Sequence, residues 1–209
     1  MAAFDLAAVR ESLKTGDLVL FGRGALVPRM PGRLGRPRWT HVGLVLQLPP
    51  DLAPALFEVA PGDSSGTRVL PLNERLAHFA GHVAVRCLDR PLDPTRVERL
   101  LALRRELAAR RVERNLFDLV GAGDDGWLGA REDNLFAPTA AEMAAMAYQR
   151  IGLLDEPARG GLPAGHYRPG DFAESHRLEL KQGYLLGPEQ PLRRADGGAG
   201  WTGLTPQTA

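Results

Sequence analysis

The sequence predicts an α+β fold in which an antiparallel sheet packs against helices. Two observations support this class. Short strand-like segments separated by turns fill the first part of the chain, and two segments with helical spacing and capping residues follow. At 209 residues, the chain is long enough to form one domain with a sizeable hydrophobic core. A net charge of +1 gives no overall attraction for a polyanion, so we expect no nucleic-acid partner.

The chain begins with a predicted amphipathic helix over residues 5–14, which ends before Gly16. Asp17 then opens a predicted strand with the sequence LVLF. Residues 22–38 follow as a loop rich in Gly, Pro and Arg, without a helical or strand period. We interpret the five arginines of this loop as solvent-exposed, and contact with an anionic substrate group or a nucleic acid is the alternative.

The segment THVGLVLQL alternates as a strand does. Its predicted faces are Val42, Leu44, Leu46 and Leu48 on one side and His41, Gly43, Val45 and Gln47 on the other. In the next strand, ALFEVA, Phe57 and Val59 face away from Glu58. If the two strands pair, His41 and Glu58 can meet on one face, where a carboxylate fixes the tautomer of an imidazole and stabilises its protonated form. Spacing alone still favours an ordinary hydrogen-bonded histidine.

The rest of the chain alternates strands, helices and loops. RVLPL and HVAVRCL are predicted strands, and Asp93 caps a long helix with Pro94 at its first position. The apolar stripe of this helix is Val97, Leu100, Leu101, Leu107, Ala108 and Val112. Its opposite face mixes Arg and Glu, which favours a solvated surface over a partner surface. We predict a last strand in LELKQGYLLG and a flexible tail from residue 191 onward.

The segment TAAEMAAMAYQRIG, residues 139–152, carries clear helix signals. Thr139 and Glu142 form a predicted capping box at its start, and Gly152 ends it. In many hydrolases such a first turn carries the nucleophile, because the positive end of the helix dipole stabilises a thiolate. Here the first-turn residues Ala140 and Ala141 have no reactive group.

Other reactive groups have little supporting context. Cys87, the single cysteine, lies in a predicted strand without a neighbouring base, so we interpret it as structural. His78 and His82 are spaced like two metal ligands but lack a third ligand, and we expect no metal site. Ser64 and Ser65 lack the context of a nucleophile elbow. No phosphate-binding or dinucleotide-binding motif is present, so we expect no cofactor.

The targeting signals of the sequence are equally sparse. The first residues include Asp5 and Glu11 and lack a long apolar run, so they do not resemble a secretory signal peptide. No stretch approaches 18 apolar residues, and we expect no transmembrane segment. We therefore expect a cytoplasmic protein, or one exported without a signal peptide.

The order of several segments is distinctive. TGDLVLF, a basic Gly-rich loop, WTHVGLVL and ALFEVAP come first, and the helix AAMAYQRIGLL and the segment YRPGDF come later. This order resembles the circularly permuted branch of the NlpC superfamily of papain-like cysteine hydrolases, which includes YiiX-like and lecithin:retinol acyltransferase-like proteins. The resemblance covers roughly residues 12–190, and the permuted order is more specific than any single motif.

The resemblance implies a papain-like fold, in which an antiparallel, barrel-like sheet packs against the helix that carries the nucleophile. It implies that His41 is the general base, that Glu58 orients it, and that Ala140 occupies the position of the cysteine nucleophile. Their sequence neighbours Trp39, Thr40 and Thr139 are assigned to substrate binding. The domain is expected to span residues 1–190, with residues 191–209 as a flexible tail.

The implied activity is acyl transfer through a cysteine. The substrate is a peptide or another amide, and a lipid-directed acyltransferase or thioesterase with the same triad is the alternative. Ala140 removes the thiolate, so the chain as given is expected to be inactive. We interpret Ala140 as an introduced replacement, because His41, Glu58 and the helix cap are all intact. A natural pseudoenzyme that binds a ligand is the other interpretation, and the oligomeric state stays open.

Overall fold

The computed structural model describes residues 12–22, 38–47, 53–60, 66–120, 139–194 and 201–204. Within them, seven strands form one sheet in the order β4-β3-β2-β1-β5-β6-β7, and every pair is antiparallel. The strands are β1 (Leu18–Gly22), β2 (His41–Leu46), β3 (Ala55–Val59), β4 (Thr67–Pro71), β5 (His82–Arg86), β6 (Gln190–Arg194) and β7 (Trp201–Leu204). No ladder joins β4 to β7 among the described residues.

In the part of the chain that the structure describes, three α-helices accompany the sheet: α1 (Leu72–Ala77), α2 (Pro94–Val120) and α3 (Ala140–Arg150). Four short 3₁₀ segments follow α3, at Pro157–Arg159, Ala164–His166, Pro169–Phe172 and Glu174–His176. The predicted α+β class and the antiparallel sheet are therefore confirmed. No helix in the described ranges has the length and apolar character that crossing a membrane requires.

Each face of the sheet is covered by a different helix, and the two faces are named here for those helices. On the α3 face, the buried side chains include Leu20, Val42, Leu44 and Phe57 from the strands and Ala144 and Tyr148 from α3. On the α1 face, they include Phe21, Val45, Leu56 and Val83 from the strands and Leu72 and Leu76 from α1. Alternate residues of a strand point to opposite faces, so β2 contributes to both cores. The alternation predicted for residues 41–46 is confirmed.

Helix α3 lies against β2 through small side chains. Its alanines are almost all buried, which lets the helix backbone approach the sheet closely. Near its end, Tyr148 Oη donates a hydrogen bond of 2.9 Å to the carbonyl of Gly16, and the Gly16 amide donates to the carbonyl of Val45. The last turns of α3 therefore lie at the carboxyl end of β2.

Helix α2 begins as the sequence predicts. The Arg96 amide donates a hydrogen bond of 2.9 Å to Asp93 Oδ1, and Pro94 is the first helical residue. Leu100 and Leu107 of the predicted stripe are buried, together with the unpredicted Leu103. Ala108, in contrast, is exposed.

One prediction for the C-terminal part is wrong. The segment LELKQGYLLG forms no strand. Only its Leu186 makes an isolated bridge, with Leu88. Gln182 and Gly183 both have positive φ, at 59° and 71°, and two such residues in succession cannot continue an extended strand. The strand that pairs with β5 is instead β6, which crosses the predicted boundary at residue 190.

The stretch predicted as a tail includes strand residues, and its flexibility stays a prediction. Residues 191–194 belong to β6, and residues 201–204 form β7, which pairs with β6. Other predictions fall outside the described residues: the helix over residues 5–11, the loop over residues 23–37 and the turn with Ser64 and Ser65.

Candidate active site

His41 and Glu58 meet on the α1 face of the sheet. His41 is the first residue of β2 and pairs with Phe21, and the register of β2 with β3 places Glu58 diagonally across from it. The distance from His41 Nε2 to Glu58 Oε2 is 2.8 Å. The predicted contact between the imidazole and the carboxylate is confirmed, and the catalytic roles of the two residues stay predictions.

Two arginines also bind Glu58, and sequence reasoning missed both. Arg68 is directly cross-strand from Glu58 and donates to Oε1 from Nε at 3.0 Å and from Nη2 at 2.6 Å. Arg75, on α1, donates from Nε to both carboxylate oxygens at 3.0 and 3.1 Å. The alternating strand RVLPL next to ALFEVA was a usable signal for Arg68, because it predicts a cross-strand pair.

The cluster keeps Glu58 ionised. Burial alone would raise the pKa of this fully buried carboxyl, but the hydrogen bonds from His41 and Arg68 and the charge of Arg75 lower the pKa below its ordinary value. An ionised carboxylate can only accept hydrogen bonds. His41 Nε2 therefore carries the proton in this contact, and in the neutral ring Nδ1 is the acceptor nitrogen.

The second nitrogen of His41 is the one available for chemistry. No hydrogen bond to Nδ1 comes from any residue that the structure describes. The imidazole packs against Phe21, with the ring centroids 5.7 Å apart, and its side chain keeps 13% exposure. The ring is thus held from two sides while Nδ1 stays free of described partners.

The start of α3 has the predicted capping box. The Glu142 amide donates to Thr139 Oγ1 at 3.1 Å, and the Thr139 amide donates to Glu142 Oε2 at 3.2 Å. Such a cap contributes about 1 kcal/mol to helix stability. Ala140, the first helical residue, is half-buried and packs against the core of the α3 face. The position proposed for the nucleophile is therefore well defined, although its methyl group cannot react.

The base and the nucleophile position lie on different faces of the sheet. His41 shares its face with Val45, whereas Val42 points toward α3, because side chains alternate along β2. Sequence reasoning placed His41 and Ala140 in one site. Ala140 packs against the core of the α3 face, whereas His41 lies on the α1 face beside Phe21, so no described contact joins the two residues.

The three residues predicted to bind substrate have different surroundings. Trp39 is buried, and its Nε1 donates to Glu189 Oε1 at 2.8 Å, so its ring is a fixed part of the structure. Thr40 is exposed and donates from both its amide and its hydroxyl to the carbonyl of Phe21. Thr139 is exposed at the helix cap.

A cleft of about 610 Å³ opens beside Trp39. Its lining residues are Arg38, Trp39, Gly170, Ala173, Glu174, Ser175, His176, Arg177 and Glu189. Trp39 belongs to the core of the α3 face, and the lining of the cleft includes neither His41 nor Glu58 nor any residue of α3. Arg38 belongs to the basic loop for which the sequence left contact with an anionic substrate group open, whereas sequence reasoning assigned none of the lining residues from 170 to 189 to the site, since they come from segments without periodicity.

Cys87, His78 and His82 lie outside the Glu58 cluster and the lining of the cleft, whereas His176 lines the cleft. Burial and the nearby Asp17 carboxylate raise the pKa of the Cys87 thiol to about 12, which agrees with its structural interpretation. His82 and His78 have no metal-binding set around them. Among the described residues, no three His, Cys, Asp or Glu side chains lie close enough to hold an ion.

Comparison with known proteins adds no family assignment. No protein-family model matches the chain, and no curated protein matches it either.

Proposed function

We propose that this chain has the papain-like arrangement of a cysteine hydrolase, with a barrel-like sheet and with alanine at the position of the nucleophile. The observation that carries the proposal is the 2.8 Å contact between His41 Nε2 and the ionised Glu58, which leaves Nδ1 as the proton acceptor. A carboxylate behind an imidazole is the base and orienter of a nucleophilic triad. The capped start of α3 is the position that we propose for the nucleophile.

With a cysteine at position 140, the reaction is acyl transfer. The thiol transfers its proton to Nδ1 of His41, and the positive end of α3 stabilises the thiolate that forms. The sulfur attacks the carbonyl carbon of an amide or ester, and the backbone N–H of residue 140 donates to the developing oxyanion. The imidazolium then gives its proton to the leaving group, and water hydrolyses the thioester.

Glu58 contributes by staying negative throughout this cycle. Its acceptor positions are occupied by His41, Arg68 and Arg75, so it stabilises the imidazolium without taking the proton. The substrate class that we favour is a peptide or another amide. An acyl lipid or thioester is the alternative, because the same triad attacks any of these carbonyl groups.

A binding protein without catalytic activity is the second candidate, and Ala140 itself favours it. The methyl group at position 140 cannot form an acyl-enzyme. In this case the cleft beside Trp39 binds a ligand and releases it unchanged.

The test is to restore a thiol and ask whether His41 activates it. We expect Ala140→Cys to be alkylated by iodoacetamide at neutral pH much faster than the chain as given, with intact mass as the readout. Adding His41→Ala should abolish the gain, and Cys87→Ser in every variant removes the competing thiol. Equal labelling with and without His41 would reject the triad. Hydrolysis of activated amides and thioesters by Ala140→Cys then distinguishes the two substrate classes.

A further inference from the structure

Arg75 is the buried arginine of the Glu58 cluster. Its side chain is 9% exposed, and its Nε is shared between the two carboxylate oxygens of Glu58. The guanidinium also lies over the rings of Phe21, at 4.5 Å, and Phe79, at 5.0 Å. A planar cation that is bonded at its edge and stacked on its face has little freedom to move.

The hydrogen bonds divide unequally between the two carboxylate oxygens. Oε1 accepts from Arg68 twice and from Arg75, while Oε2 accepts from His41 and Arg75. A carboxylate offers about four acceptor positions. All of them are in use, so Glu58 cannot rotate without losing a charged hydrogen bond, and Arg75 is the only one of the three donors to contact both oxygens.

Arg75 also supports the ring against which His41 packs. Phe21 contacts the imidazole at 5.7 Å and the Arg75 guanidinium at 4.5 Å, measured from its ring centroid. Leu72 and Leu76, the buried residues of the same short helix, fix α1 on this face of the sheet. Arg75 therefore restrains both Glu58, the hydrogen-bond partner of His41, and Phe21, its packing partner.

We propose that Arg75 is a positioning residue that locks Glu58 and thereby holds His41 in the tautomer with Nε2 protonated and Nδ1 free. The effect on the tautomer stands on the contacts alone, and its catalytic consequence rests on the proposed function. Arg68 is less suited to this role, because it contacts only Oε1 and is 38% exposed.

The direct test is the tautomer of His41, read from proton–nitrogen correlation spectra of the imidazole in the chain as given. We expect one dominant tautomer, with the proton on Nε2, and a mixture of tautomers in Arg75→Met. Arg75→Lys keeps the charge but lacks the planar fork, so it should also give a mixture. Arg90→Met is the matched control, because Arg90 stacks on Tyr184 and donates to Gln182 away from the cluster.

An unchanged tautomer in either folded Arg75 variant would overturn the proposal, and Arg75→Lys decides alone if Arg75→Met does not fold. Labelling in the Ala140→Cys background then separates the two proposals. Loss of up to roughly 100-fold in rate on Arg75→Met, matching a misplaced base, supports both. A changed tautomer without any His41-dependent labelling supports the role of Arg75 and rejects the proposed function.

Discussion

Glu58 and Asp17 are both fully buried carboxylates, yet their pKa values are shifted in opposite directions. Glu58 accepts hydrogen bonds from charged or chargeable side chains, and its pKa is lowered. Asp17 accepts from the backbone amides of Lys14 and Leu88, both at 2.8 Å, and burial outweighs these bonds and raises its pKa. The sign of the shift follows from the charge of the partners and not from burial itself.

The two carboxylates also lie beside different titratable side chains, His41 in one case and Cys87 in the other. Glu58 contacts Nε2 of His41, the residue that we propose as the general base. Asp17 lies beside Cys87 and helps to raise the pKa of that thiol, which suppresses its nucleophilic form. Asp17 joins the start of β1 to the chain after β5 by accepting a hydrogen bond from the Leu88 amide, which stabilises the fold. Glu58 instead belongs to the candidate site.

The largest difference between the two carboxylates should appear on neutralising them. Glu58→Gln leaves the buried Arg75 without its counter-charge, so we expect a loss of about 3–5 kcal/mol in the free energy of unfolding at neutral pH. Asp17→Asn keeps one acceptor and mismatches one amide, and should cost about 1–3 kcal/mol. Urea denaturation of both variants measures the two values. A larger loss for Asp17→Asn than for Glu58→Gln would contradict the expectation that neutralising Glu58 costs more stability.

The reactivity of Cys87 should follow Asp17. With a pKa of about 12, its thiolate fraction at mildly alkaline pH gives alkylation roughly a thousand-fold slower than that of an ordinary exposed thiol. Asp17→Asn should accelerate this reaction, because it removes a neighbouring negative charge. The rate is read by mass spectrometry, with Cys87→Ser as the blank. Fast labelling of the unaltered chain would show that Cys87 is not inert.

The two carboxylates should also give opposite pH dependences. The lowered pKa of Glu58 stabilises the fold above the ordinary value of 4.5, and this contribution is lost as the pH falls through the folded-state pKa. The raised pKa of Asp17 gives a contribution that is complete below 3.8 and is lost as the pH rises through the folded-state pKa. The difference in the free energy of unfolding between the unaltered chain and Glu58→Gln should therefore become smaller as the pH falls.

For Asp17→Asn, the stability difference from the unaltered chain should instead shrink as the pH rises. Urea denaturation of the three proteins over the acidic range, from about pH 3 to pH 7, tests both slopes. If the stability differences of both variants changed with pH in the same direction, the hydrogen-bond partners would not determine the sign of the pKa shift.

The smallest effect should come from Arg68. Its side chain is 38% exposed, so solvent screens its contact with Glu58, and Arg68→Met should cost roughly 0–1 kcal/mol. Arg75→Met, measured beside it, should cost more because Arg75 is buried. Equal losses in the free energy of unfolding would contradict the expectation that the buried arginine contributes more to stability than the exposed one.

Strand alternation and a short connection made the contact between His41 and Glu58 possible on the condition that the two strands pair, and the structure meets that condition. The sequence was not sufficient for Arg75, since the six-residue helix α1 is too short for a periodic signal between two strands. Alternation also assigns His41 and Val42 to opposite faces without saying which face a distant helix will cover. The position of α3 depends on contacts such as Tyr148 with Gly16, 132 residues apart.

The most direct test of the triad is the crystal structure of the Ala140→Cys variant. We predict that the introduced sulfur lies within hydrogen-bonding reach, roughly 3–4 Å, of His41 Nδ1. A sulfur buried on the α3 face, out of reach of the imidazole and separated from it by the sheet, would contradict the proposed triad.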